Sequence, residues 1–328
     1  MTNLNPFIYG KPVPANRHIN RNDALHTIFS RIQSKESTAI VGFPQVGKTS
    51  LIKYIVSDST MKRWIKEDYA TEIIIIEIDV YTGWLSLQKK PINFWSYIFD
   101  EIESKLEIDV LKDAIKAVRK NQYGSATLFN FFKKLGSCGK RVLLVIDEFD
   151  SLLYHKNFSN AEFFGSLRSI ATGTDGLQLL TSSITSVEDM DEYSSTINPI
   201  GSPFFNNFTS VKLELFDKKA VNELIDSTLD GTGINFDQND KEFVEMVSGY
   251  HPYRLQAICA TLYDAKVMNI SPIERYEYAS KKFTEQTGHH FSQIWKRLDD
   301  KTKTVLVIMV VLHFKGVILG KEYNFGEI

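Results

Sequence analysis

The stretch Gly42-Phe43-Pro44-Gln45-Val46-Gly47-Lys48-Thr49-Ser50 joins two glycines at fixed spacing to a lysine and two hydroxyls, directly after the apolar run Ala39-Ile40-Val41. Such a loop can hold phosphate. Gly42 and Gly47 are expected to take positive φ and turn successive N–H groups toward an anion, while a helix opening at Lys48 adds its positive end. Lys48 would reach the β- and γ-phosphates of a nucleotide, and Thr49 would offer its hydroxyl to Mg²⁺. The plainer alternative is a glycine turn beside a solvated lysine. Context argues for the phosphate loop: Ser37–Val41 reads as a short buried strand, and Leu51, Ile52, Ile55 and Val56 recur at helical spacing.

A second cluster supplies what hydrolysis needs. The run Val142-Leu143-Leu144-Val145-Ile146 is followed by Asp147 and Glu148, so a buried strand delivers two acids to one end of a parallel sheet. Asp147 is placed to orient Mg²⁺ and Glu148 to act as general base for an attacking water. Asp150 belongs to the same acidic cluster and is assigned no chemistry. Solvated acids at a strand end are common, and it is the pairing with the phosphate loop, in this order, that gives these two a chemical reading.

The elements that must position these groups follow the same pattern along the chain. Buried strands are expected at Ile73–Val80, Arg141–Ile146, Leu177–Leu180 and Ser210–Leu215, with helices near Leu25–Ile32, Asn93–Leu106, Leu111–Arg119, Ser125–Leu135 and Ala161–Thr172. Strand and helix in alternation predict an α/β fold, a parallel sheet with helices on both faces. After Phe216 only helices are expected, at Lys218–Leu229, Asp237–Val247, Pro252–Lys266, Pro272–Thr284 and Thr302–Leu312. The division is therefore residues 1–216 for the nucleotide-binding domain with an extended N-terminal arm, 217–290 for a helical domain, and 291–328 for a further segment.

Composition excludes several classes. The chain has 328 residues, 43% hydrophobic and 24% charged, which is ordinary globular usage. A net charge of −2 indicates no nucleic-acid partner, though a local basic face at 281–303 leaves that contact open. Cys138 and Cys259 lie far apart, so neither a disulfide framework nor a zinc site is expected, and the compartment should be reducing and cytoplasmic. His289-His290 has no carboxylate or cysteine at helical spacing to complete a metal site. The longest apolar run, Val305–Leu312, is too short to span a bilayer and is expected to be a core helix.

Taken together, GFPQVGKTSL, VLLVIDEFD, LRSIATG, FNNFTSVKLELF and SGYHPYRLQAICATLYD resemble the archaeal/STAND branch of AAA+-related P-loop ATPases over about residues 5 to 265. In these terms the two clusters are Walker A and Walker B motifs. The resemblance implies ATP or ADP with Mg²⁺, a helical lid, and a winged helix whose start would lie near Trp295. It makes Ser182 and Ser183 candidates for a polar sensor at the end of the strand after Walker B. Arg168 becomes a candidate arginine finger, although a surface arginine packing its stem explains it as well. His251-Pro252-Tyr253 matches the family's His-Pro-aromatic box, with Pro252 suited to a first helical turn and His251 to its cap. Asn20-Arg21-Asn22 stands where the family has a Gly-Arg-Glu-type box, so Arg21 carries over and the glycine does not.

The function these readings imply is a slowly hydrolysing, Mg²⁺-dependent ATPase switch that couples nucleotide state to assembly or signalling, through self-association or an effector or sensor partner and without a membrane. Two rivals stay open: a DNA-associated AAA+ ATPase of the replication-initiator or transposition-regulator kind, and a nucleotide-stabilised scaffold that does not hydrolyse.

Overall fold

The computed structural model describes residues 4–65, 72–82, 89–106, 109–197 and 204–319. Five parallel strands form one sheet: β1 (Thr38–Val41), β2 (Ile73–Asp79), β3 (Arg141–Asp147), β4 (Leu177–Ser183) and β5 (Thr209–Lys212), in the order β2-β3-β4-β1-β5. Every residue of β3 and β4 is buried. This follows from their near-continuous apolar runs, which suit a sheet covered on both faces.

The two faces have different covers. On one, α1 (Asn22–Gln33), α2 (Lys48–Ile55) and α3 (Asp58–Trp64) pack on Ile40, Leu143, Val145, Leu180 and Val211. On the other, the alternate residues Val142, Leu144, Ile146, Leu177 and Leu179 meet α4 (Pro91–Lys105), α5 (Asp109–Lys120), α6 (Ser125–Ser137), α7 (Phe149–Leu153), α8 (Ala161–Gly173) and α9 (Val187–Ile197). That second core is rich in phenylalanine, with Phe149 stacked on Phe204 at 5.5 Å and edge-on to Phe164 at 5.8 Å.

Among the described residues, five helices follow β5: α10 (Lys218–Leu229), α11 (Gln238–Ser248), α12 (Pro252–Val267), α13 (Pro272–Arg297) and α14 (Asp300–Leu319). The chain divides into two compact units. One comprises Ile8–Ser227 with Tyr250–Tyr253 and carries the sheet; the other comprises Met1–Phe7, Thr228–Gly249 and Arg254–Ile328. Within the second, Phe7 stacks on Phe236 at 6.0 Å, and Asn5 Nδ2 donates to Ala260 O and Asp264 Oδ1, both at 2.8 Å. Asp240, fully buried there, is paired with Lys266 and accepts the Tyr276 hydroxyl at 3.0 Å.

Three expectations are corrected. The strand after the first acids runs to Ser183 rather than Leu180, so Thr181, Ser182 and Ser183 form the end of β4, in register with Ile146, Ile40 and Val41. Val305–Leu312 is helical but not core: Val305, Val307, Val310 and Val311 are 45–58% exposed. Trp295, where a new segment is expected to begin, sits inside the single helix α13, and 300–319 form one further helix; residues 320–328 lie outside the described residues.

Candidate functional site

Sheet register assembles the site. Val41 pairs with Ser183 and Ile146 with Thr181, so the ends of β1, β4 and β3 lie level, with β4 between the strands that carry the phosphate-loop lysine and the acids. Asp147 thereby stands next to Ser182 and within reach of the first turn of α2. The Thr49 hydroxyl donates to Asp147 Oδ2 at 2.6 Å, and the Ser182 hydroxyl donates to Asp147 Oδ1. The same Ser182 oxygen accepts the Glu148 N–H at 3.2 Å.

The loop between β1 and α2 is held from outside by its carbonyls. Lys48 Nζ donates to Gly42 O at 2.7 Å and Phe43 O at 3.0 Å, Arg21 donates to Val46 O at 3.2 Å, and His251 Nε2 donates to Pro44 O at 3.2 Å. The last bond requires the tautomer protonated at Nε2. No side chain caps the start of α2, so its first amides remain open to an anion. Lys48 is buried, and burial lowers its pKa while Asp147, Asp150 and Glu148 pull the other way.

One expectation about the loop is overturned. Gly47 has φ +105°, but Gly42 is not in the left-handed region; Gln45, at φ 60°, makes the second turn instead. Gly42 is required for a different reason. A Cβ there would lie 2.8 Å from Leu213 O and 2.9 Å from Val46 Cγ1.

Glu148 is half-buried and left-handed, at φ 61° and ψ 45°, where β3 turns into α7. Burial raises its pKa to about 7, with Asp147 and Asp150 adding repulsion and Lys48 opposing. A carboxyl poised there can take a proton near neutral pH. Asp150 is not free to act as a base in its place, because its Oδ2 accepts the N–H of Ile184 at 2.9 Å and both the N–H and hydroxyl of Thr185, at 3.0 and 3.1 Å. It ties α7 to the segment leaving β4. Sequence reading misses this role, because the bond joins residues 34 apart and no local pattern marks it.

Other candidates lie at different distances from this centre. Ser183 donates its hydroxyl to Thr185 O at 2.8 Å rather than to Asp147. Ser50 accepts the Val13 N–H at 3.0 Å and so anchors the N-terminal arm on α2. Arg168 lies half-buried on α8, away from the phosphate loop in sequence and on a different element from the acids. Pro252 opens α12 directly after His251.

Arg21 donates to Glu214 O at 2.7 Å and lies over the Phe216 ring at 4.6 Å, so it joins the phosphate loop to the segment after β5. Asn20 takes φ 58°. Asparagine tolerates that conformation better than other side chains, and its Oδ1 accepts the Arg21 N–H at 2.8 Å.

A parallel sheet in this order, with the phosphate loop after β1 and the acids after β3, defines a P-loop NTPase core of the AAA+-related class. The sequence matches the family model of novel STAND NTPase 2 over residues 42–310, and the chain belongs to that family. No curated protein matches it. The fold is similar to a Walker-type ATPase of Pyrococcus abyssi, at TM-score 0.64 and 14% identity over 92% of this chain and 81% of that one. It is also similar to the Aeropyrum pernix ORC2 protein solved with ADPNP and ADP, at 0.58 and 15% over 99% and 81%. Drosophila ORC bound to DNA matches at 0.55 and 13% over 96% and 78%. At such identities these likenesses show the fold alone.

Proposed function

We propose that this chain binds ATP with Mg²⁺, hydrolyses it slowly and uses the difference between nucleotide states to control assembly or signalling. The observation that carries the reading is the Thr49–Asp147 contact of 2.6 Å. A hydroxyl and a carboxylate side by side, with a lysine on the adjoining loop, make the hard-oxygen donor set that suits Mg²⁺ beside phosphate. Bound there, the ion would neutralise charge on the β- and γ-phosphate oxygens.

Each residue then has its own part. The amides at the start of α2 and Lys48 bind the phosphates; Thr49 and Asp147 hold the metal. Ser182 orients Asp147 and fixes the Glu148 backbone, and Glu148 takes a proton from the attacking water. His251, bonded to the loop at Pro44, passes the state of the loop to α12. Arg168 as an arginine finger is kept as the weaker proposal, since a helix arginine packing its stem explains the position as well.

Single-turnover hydrolysis of ATP by the wild type and by Glu148→Gln tests this. The variant should bind ATP yet lose hydrolysis by a factor of roughly 10² or more. No phosphate release from the wild type over hours would make the protein a non-hydrolysing scaffold. Hydrolysis stimulated by DNA, and falling steeply with salt, would favour the DNA-associated reading.

A further inference from the structure

Asp150 belongs to the acidic cluster at the end of β3, yet the hydrolysis proposed above gives it no part. It is only 7% exposed, and a carboxylate that far from water must be hydrogen-bonded. Its Oδ2 accepts the N–H groups of Ile184 and Thr185, at 2.9 and 3.0 Å, and the Thr185 hydroxyl at 3.1 Å, while its Oδ1 accepts the Ser151 N–H at 3.2 Å. Ile184 and Thr185 directly follow β4, which ends at Ser183. One side chain on α7 thus fixes the chain as it leaves the neighbouring strand.

The turn that carries Glu148 lies between two such ties. On its N-terminal side, Asp147 accepts the Thr49 and Ser182 hydroxyls, and Ser182 in turn accepts the Glu148 N–H at 3.2 Å. On its C-terminal side the tie is Asp150. Between them Glu148 holds φ 61° and ψ 45°. For a residue with a Cβ, a left-handed backbone is unfavourable and persists only where its surroundings over-determine it. Ser182 lies in β4 and Ile184 and Thr185 just beyond it, so the end of β4 is the frame on which the Glu148 turn is built.

We propose that Asp150 is a positioning residue for hydrolysis: through Ile184 and Thr185 it holds the left-handed turn that sets the direction of the Glu148 side chain. This rests on the reading of Glu148 as general base. Asp150 directs its acceptors to the protein itself, so its loss should slow the chemical step and leave nucleotide binding alone. That step is sensitive, since misplacing a catalytic group by about 1 Å can cost roughly 10²-fold.

The test compares wild type, Asp150→Ala and Asp150→Asn in the full chain. Phe149, Leu152 and Leu153 are fully buried and keep α7 on the core, so both variants should fold, which circular dichroism checks. Asparagine keeps an oxygen that can accept the two N–H groups, and alanine keeps none. In Asp150→Ala, kcat for ATP should fall by roughly tenfold or more, with KM and the affinity for a slowly hydrolysed ATP analogue within about threefold of wild type. Asp150→Asn should restore kcat to within about fivefold of wild type. Without nucleotide, the amides of Ile184 and Thr185 should exchange hydrogen about tenfold faster in the alanine variant than in the other two. Asp150→Ser stands in for alanine if that variant does not fold.

A smaller fall of kcat in Asp150→Ala would overturn the proposal, as would an equal fall in affinity, which marks general loosening of the site. An asparagine variant as slow as alanine would also overturn it, by assigning the effect to the charge rather than to the bonds. Glu148→Gln, run alongside, separates this proposal from the reading beneath it. Full turnover there removes Glu148 as the base and this proposal with it, whereas lost turnover there with full turnover in Asp150→Ala removes this proposal alone.

Discussion

Glu148 combines two unusual properties, a left-handed backbone and a pKa raised to about 7, and both come from its place at the end of a fully buried strand. The raised value makes a pH prediction. If Glu148 is the base, hydrolysis should climb as pH passes about 7, and Glu148→Gln should abolish the climb. Stability should move the opposite way. Between 4.5, its value in an unfolded chain, and about 7, the folded protein holds the proton more tightly, so folding loses stability as pH rises through that window. The glutamine variant escapes this loss. Its melting temperature relative to wild type should therefore rise from pH 4.5 to pH 8, and a difference independent of pH would show that the carboxyl is not strained by its surroundings.

At the scale of elements, the strand ends and their turns hold the chemistry, and substitutions there should act through backbone shape. Asn20→Gly should be nearly neutral, because glycine adopts φ 58° freely, whereas Asn20→Ala should cost about 1 kcal/mol in a denaturant melt. Equal losses would locate Asn20's contribution in its side-chain bond to Arg21. Gly42→Ala should cost about 1–3 kcal/mol through the clash with Leu213 O and Val46 Cγ1.

These elements also mark how far the sequence reads. The five strands and the phosphate-loop helix are legible because their apolar runs and glycine spacing are local signals. The true length of β4 is not, since Thr181, Ser182 and Ser183 are hydroxyl residues that turns also favour, and only pairing with β1 and β3 makes them strand. The helices α3, α7 and α9 escape sequence reading as well. Short or polar, they bury only a few residues each, such as Met190 and Ser194 in α9, so periodicity gives little to detect. The contacts of His251 with Pro44 and of Asp150 with Thr185 join distant segments and leave no trace in local spacing.

For the whole molecule, the phosphate loop is a junction. Its carbonyls are held by Arg21 from the N-terminal side of the chain, by Lys48 from its own helix, and by His251 from the turn leading into α12. Among the described residues no helix is long and apolar enough to cross a membrane. The proposed switch predicts that mass in solution depends on nucleotide: light scattering should separate the form with a slowly hydrolysed ATP analogue from the ADP form. Identical masses in both would remove self-association as the output and leave a partner protein to read the state. Upstream of any such output stands nucleotide binding itself, and its most direct measurement is the titration of wild type and Lys48→Ala with a fluorescent ATP analogue in Mg²⁺. Saturable binding by the wild type and none by the variant is the expected result, with circular dichroism showing both folded. Unchanged affinity in a folded Lys48→Ala would contradict nucleotide binding at this loop.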